Sequence, residues 1–122
     1  MQFSFDGSEP IYRQVAEQIE ETIVTSGFDE GKQIPSTTEI SKEFHINPAT
    51  VLKGMNMVVD KGLIEKRRGL GMFVTVGARE KILEDRRSKF YDNFVKSLVT
   101  EAKSLNISEE DLINQIKRGF TE

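Results

Sequence analysis

No cysteine and no tryptophan occur among the 122 residues, and histidine occurs once, as His45. The missing thiols remove disulfides, thiolate nucleophiles and cysteine-ligated zinc together, and fit a reducing compartment. One imidazole leaves no His pair for a transition-metal centre, and no Ser-His-acid or Glu-x-x-His set is present. Long hydrophobic runs are missing too: nothing approaches the roughly eighteen apolar residues of a membrane span. The N-terminal MQFSFDGSEP lacks the basic-then-apolar order of a secretory signal. The expectation is a soluble, cytoplasmic protein with no membrane partner, no cofactor, no metal and no catalytic residues. Its length suits one small domain with a short appendage, too little for two full domains around a large cleft.

Positive charge is slightly outnumbered overall, for a net charge of −3, and it is unevenly placed. Residues 1–45 carry Arg13, Lys32 and Lys42 against nine acids, a balance of −6. Residues 46–71 carry Lys53, Lys61, Lys66, Arg67 and Arg68 against Asp60 and Glu65, a balance of +3, and residues 72–122 sum to zero. A binding face can therefore be locally positive on an acidic, soluble chain.

Local patterns give the elements. Pro10 opens a helix whose Tyr12, Val15, Ala16, Ile19 and Ile23 form one apolar stripe. Ser26-Gly27 ends it, with Gly27 expected in the left-handed cap conformation. FDEGKQI reads as a turn and a very short strand around Gln33 and Ile34. Ser36 and Glu39 form a capping box for a second helix from Thr37 to about Phe44, with Ile40 and Phe44 on one side. After the HIN connection, Asn47 suits an N-cap and Pro48 the first helical position. Val51, Met55, Val58 and Val59 form the buried stripe of this third helix, which Gly62 closes, and Gly54 is expected to admit the second helix closely. Leu63–Arg67 and Met72–Val76 are β-prone runs joined by Arg68-Gly69-Leu70-Gly71. A helix-turn-helix followed by a hairpin is a winged helix. The fold class is mostly α with a small β wing.

From Gly77 the period becomes helical again. Leu83, Phe90, Phe94, Leu98, Ala102 and Leu105 line one long helix, widened by Ile82, Tyr91, Val95 and Val99. Asn106-Ile107 break it, and Ser108 caps a last helix with Glu109, Glu110 and Asp111 in its first turn and Leu112, Ile113, Ile116 and Phe120 as its stripe. The expected organisation is a winged helix-turn-helix over 1–77 and a helical tail over 78–122. Two such wide apolar faces cannot cover each other in so short a tail. Leu83, Phe90, Tyr91, Phe94, Leu98, Leu105, Leu112, Ile116 and Phe120 are the expected homodimer interface. Phe90, Tyr91 and Phe94 also suit a small-ligand pocket between protomers, so an unidentified small-molecule effector stays open as a partner.

PSTTEISKEFHINPATVLKGMNMVVDKGLIEKRRGLGMFV resembles the winged-helix domain of the GntR family of bacterial transcription regulators, with its P-S-x-R-E-L-A, T-V helix, G-L-I-E strand and R-x-G-x-G-x-F-V wing. The NPATV entry and the short two-helix tail look most like the YtrA subfamily, which dimerises through that tail. The resemblance implies a sequence-specific repressor of double-stranded DNA, and its subfamily's frequent place beside transporter genes implies a transporter operon as target. It further implies that the third helix enters the major groove with Asn47, Pro48, Ala49, Thr50, Leu52 and Lys53. Gly69 would lie at the wing tip beside Gly71, and Ser36, Thr37 and Thr38 near the duplex from the second helix. Many relatives carry Arg where this chain has Thr38.

Lys53, Lys61, Lys66, Arg67 and Arg68 can neutralise phosphates, which makes affinity salt-dependent. Ala49 and Leu52 cannot read guanine by paired hydrogen bonds but can meet a thymine methyl, so the expected operator is A·T-rich and, for a dimer, an inverted repeat. From another class, a winged helix used for protein–protein contact without specific DNA binding is the alternative. Gly69-x-Gly71 lacks the strand-then-helix setting of a nucleotide loop. His45 reads as a capping or packing residue of the turn, and the Glu109-Glu110-Asp111 trio as a complement to the helix dipole.

Overall fold

The computed structural model describes residues 7–122; the N-terminal stretch inspected for a secretory signal lies, through Asp6, outside the described residues. The elements run α1 (Ile11–Val24), α2 (Thr37–Phe44), α3 (Pro48–Asp60), β1 (Ile64–Arg67), β2 (Gly71–Val74), α4 (Ala78–Ser88), a π-helical turn (Tyr91–Val95), α5 (Lys96–Ser104) and α6 (Glu109–Thr121). The fold is thus mostly helical with one small antiparallel sheet.

Caps place the helices where local chemistry demands. Ser36 Oγ accepts from the Glu39 N–H at 3.1 Å while the Ser36 N–H donates to Glu39 Oε1 at 3.2 Å, so both halves of the capping box form. Asn47 Oδ1 accepts from the Ala49 N–H at 2.8 Å and Pro48 takes the first turn of α3. Between these helices His45 adopts a left-handed φ of 55° as the C-cap of α2. The Ser41 hydroxyl donates to the Ile46 carbonyl at 2.6 Å and holds the turn. At the end of α1 the left-handed residue is Ser26, at φ 63°, not Gly27; the Gly27 N–H instead returns to the Thr22 carbonyl at 2.8 Å.

The core forms where the stripes meet. Val15, Ala16, Ile19 and Ile23 of α1 face Val51, Met55 and Val58 of α3, joined by Ile34, Ile40, Ile46, Leu63, Ile64 and Val74. Gly54 serves a different neighbour from the expected one. A Cβ there would lie 2.6 Å from the Tyr12 carbonyl oxygen and 2.8 Å from the Val15 side chain, so it is α1, not α2, that lies against α3 at this point.

β1 and β2 pair antiparallel with Ile64 opposite Val74 and Arg67 opposite Gly71. The expected strand at Gln33-Ile34 is a single bridge from Gln33 to Phe73, supported by Ile34 N–H to Met72 O at 2.9 Å and Val74 N–H to Lys32 O at 3.0 Å. Beyond the sheet, the Gly77 N–H donates to the Glu30 carboxylate.

The chain divides into two compact units, residues 1–84 and 85–122. The first extends past Gly77 because Ala78 and Ile82 of α4 are buried in its core. In the second, the long helix expected through Leu105 is interrupted: the Lys96 N–H donates to the Tyr91 carbonyl, five residues back, and makes the π turn. No Gly or Pro lies between Ala78 and Ser104 to announce it. Ser108 caps α6, its hydroxyl accepting from the Asp111 N–H at 3.1 Å. Within this unit Ala102 is buried, whereas Phe90, Tyr91, Phe94, Leu98, Leu105, Ile113, Ile116 and Phe120 are exposed. Leu112 is half-buried, as is Leu83 in the first unit.

Candidate nucleic-acid interface

One face of α3 is free of the core. Ala49, Leu52, Lys53 and Asn56 follow one another at spacings of three, one and three and are all exposed, Leu52 by 50 %. Leu52 is thus an apolar side chain half exposed beside Lys53 and Asn56, outside the core. The Lys53 ammonium lies 3.9 Å from the centroid of the Tyr12 ring on α1, which orients the side chain without neutralising it.

Opposite this ridge stands the hairpin, and a groove of about 390 Å³ opens between them, lined by Thr38, Leu52, Met55, Asn56, Lys66 and Met72 among others. The two-residue period of a strand divides the basic triplet. Lys66 lines the groove, on the same side as its partner Met72. Arg67 belongs to the other face, where Glu65 Oε1 accepts from its guanidinium at 3.2 Å and the Phe73 ring lies 4.1 Å away. Arg68 follows at the turn, exposed. Among the described residues neither Lys66 nor Arg68 forms an ion pair.

Lys61, counted in the basic segment, stands elsewhere. It caps the far end of α3, a helix of 13 residues, so about 20 Å from Pro48, and its Nζ lies 3.2 Å from Glu20 Oε2 on α1. Beside that pair, burial first, and then a hydrogen bond with Glu9 and the negative charges of Glu9 and Glu20, raise the Glu17 carboxyl above its ordinary range, with Lys61 opposing. Lys61 thus stands among acids, Glu17 and Glu20 with Glu9 beside them.

The second helix presents its first turn to the same groove. Ser36, Thr37 and Thr38 all line it, but the Thr37 hydroxyl donates to Met55 Sδ at 3.2 Å and so fastens α2 to α3. Thr38 is exposed.

The profile of the bacterial regulatory proteins of the gntR family matches residues 11–74, from the first residue of α1 to the last of β2. The chain belongs to the GntR family. It is 30 % identical over 122 residues to the HTH-type transcriptional regulator YhcF of Bacillus subtilis, covering 100 % of this chain and 98 % of that protein. To the HTH-type transcriptional repressor YtrA of the same organism it is 28 % identical over 110 residues, 90 % of this chain and 84 % of that one. A GntR family transcriptional regulator from Listeria monocytogenes superposes with a TM-score of 0.72 at 25 % identity, covering 93 % of this chain and 98 % of that chain. The AraR DNA-binding domain in complex with operator ORX1 superposes with a TM-score of 0.56 at 28 % identity, covering 62 % of this chain and 96 % of that one.

This GntR chain is accordingly a transcriptional regulator and not an enzyme. GntR proteins bind DNA. Of the residues that the family resemblance selects, Ser36, Thr37, Thr38, Leu52, Lys66 and Gly71 line the groove; Asn47, Pro48, Ala49, Thr50, Lys53, Arg68 and Gly69 are not part of its lining, and Arg67 belongs to the opposite face of the hairpin. No helix among the described residues is long and apolar enough to cross a membrane. Asn56 was not among the residues singled out from the sequence. Its signal was there: it lies four residues after Leu52 and seven after Ala49, which places a polar amide on the same helical face.

Proposed function

We propose that this GntR regulator is a homodimeric repressor that binds an inverted-repeat operator, with α3 in the major groove and the wing beside the minor groove. The observation that carries the reading is the exposed ridge Ala49, Leu52, Lys53 and Asn56, whose Leu52 and Asn56 share an open groove with Lys66, a cation with no ion pair among the described residues. Ridge and cation supply the two things a specific complex needs, contacts to base edges and neutralisation of phosphates. Ala49 and Leu52 suit thymine methyl groups, and the Asn56 amide suits the N6 and N7 edge of adenine, so the operator half-site is A·T-rich under α3. The AraR domain, solved with an operator, shares this fold and supports the docking.

Dimerisation rests on the second unit. Phe90, Tyr91 and Phe94 are each more than half exposed, and a second copy covering them would place two recognition helices on one duplex, about one helical turn apart. The YtrA repressor supports the regulatory sign.

A salt-titrated mobility-shift assay on oligonucleotides selected from a random pool tests the reading. The expected result is a palindromic, A·T-rich site whose affinity falls steeply with salt. Half-sites centred on G·C pairs would refute the base contacts, and a chain that binds no DNA at low salt would favour a protein-contact role for the winged helix.

A further inference from the structure

Gln33 precedes the helix-turn-helix in the chain and yet reaches the wing. Its side-chain Nε2 donates to the main-chain carbonyl of Leu70 at 2.7 Å, across 37 positions of sequence. Its backbone bridges to Phe73. The turn it reaches carries Gly69 at φ 76° and Gly71 at φ 119°, and is closed by the Leu70 N–H on the Arg67 carbonyl at 2.9 Å. A Cβ at Gly71 would stand 2.6 Å from Gln33 Nε2, so the glycine is the space through which the amide enters.

A turn with two glycines is conformationally loose unless something outside it holds it. Here the holding bond lands on Leu70, whose side chain is 64 % exposed and lies outside the core. Its neighbours in sequence are Arg68, Gly69 and Gly71, with no ion pair at Arg68 among the described residues. Leucine is among the apolar side chains that proteins set against the walls or steps of a minor groove, and small neighbours let it approach the floor.

We propose that Gln33 is a positioning residue that locks the wing tip, and that the locked tip presents Leu70 as an apolar contact in the minor groove of the operator. The inference rests on the operator-binding reading above and adds to it a residue from outside the helix-turn-helix. Because an apolar contact releases no counterions, Leu70 contributes affinity that salt does not remove. Flexible pyrimidine–purine steps are the sequences that accept such a side chain most readily, so the operator should carry one where the wing lands.

The test compares full-length wild type, Leu70→Ser, Gln33→Met, the double variant and Arg68→Ala on the selected operator over a salt series, with melting curves to show that each is folded. Leu70→Ser is expected to weaken binding by about 10-fold or more at every salt concentration with an unchanged slope, whereas Arg68→Ala flattens the slope by about one. Gln33→Met should weaken binding similarly, and the double variant should be no weaker than Leu70→Ser alone, since no contact remains to be positioned. Hydroxyl-radical protection at the wing flank should vanish in both single variants. Wild-type affinity for Leu70→Ser, or additive losses in the double variant, would overturn the proposal while leaving operator binding intact. Absence of salt-dependent binding by the wild type would overturn both.

Discussion

The carbonyl oxygen of Tyr12 stands 2.6 Å from where a β-carbon on Gly54 would be, which makes the α1–α3 contact one of backbone against backbone. Helix α3 is seated on α1 at this point, on the side of the helix away from Leu52 and Asn56. Gly54→Ala must move α1 outward or distort α3, since backbone cannot rotate away as a side chain can. A loss of about 1–3 kcal/mol is expected, read as a lower urea midpoint at constant m-value. An unchanged midpoint would show that the two helices part without cost.

The division of the basic residues predicts which of them matter for phosphate binding. Lys66→Ala and Arg68→Ala should each reduce the salt slope of DNA affinity by about one. Lys61→Ala, removing a partner of Glu20 at the far end of α3, should leave the slope as it is. A slope that falls equally for all three would mean that charge acts through the whole field of the unit.

Asn56 gives a different signature. Its replacement by Ala should relax selection at one A·T pair per half-site, costing about 1–3 kcal/mol of discrimination, with little change in the salt slope. Repeating the site selection with the variant checks this. An unchanged site logo would remove Asn56 from the base-reading set.

For the tail, Phe94→Glu is the informative change. The Phe90 and Phe94 rings lie 5.4 Å apart and Phe94 is 61 % exposed, so a carboxylate there is harmless to a monomer. Buried in a dimer interface it would be an unpaired charge, and the dimer dissociation constant should rise by about 100-fold or more. Sedimentation velocity measures this, with an unaltered melting transition of the first unit as control. A dimer as tight as wild type would place the interface elsewhere.

Glu17 links stability to pH. Its carboxyl is raised by burial, by its hydrogen bond with Glu9 and by the nearby acids, so the folded chain holds this proton more firmly than the unfolded one. The stability it contributes is present at low pH and is lost as pH rises through the folded value. Glu17→Gln mimics the protonated form, and should raise Tm slightly at pH 7. That advantage should fade as the pH falls below about 4, and a gain that persists there would mean that it does not come from ionisation.

Much of this was legible before any tertiary contact was known. The Ser36–Glu39 box, the Asn47-Pro48 entry and the Ser108 cap are bonds between residues two or three apart, so the order of residue types suffices to foresee them. The groove was legible in part: Ser36, Thr37, Thr38, Leu52, Lys66 and Gly71 were singled out from the sequence, and Gln33 and Asn56 were not. Lys66-Arg67-Arg68 is one basic run in the sequence, and only the pairing of β1 with β2 sends Lys66 to the groove and Arg67 to Glu65 and Phe73. Gly54 was recognised as a contact glycine with the wrong helix as its partner. The π turn at Tyr91–Val95 left no mark, because an apolar stripe that broad tolerates one extra residue per turn without losing its face.

By itself, then, the sequence determined the helices of the first unit, the caps at Ser36, Asn47 and Ser108, the hairpin and the family, because each depends on neighbours along the chain or on their spacing. Tertiary structure decided which of Lys66 and Arg67 meets an acid among the described residues, which helix Gly54 admits and that Gln33 donates to Leu70. Those depend on distances between residues tens of positions apart, and folding sets such distances only after the local elements have met around one core.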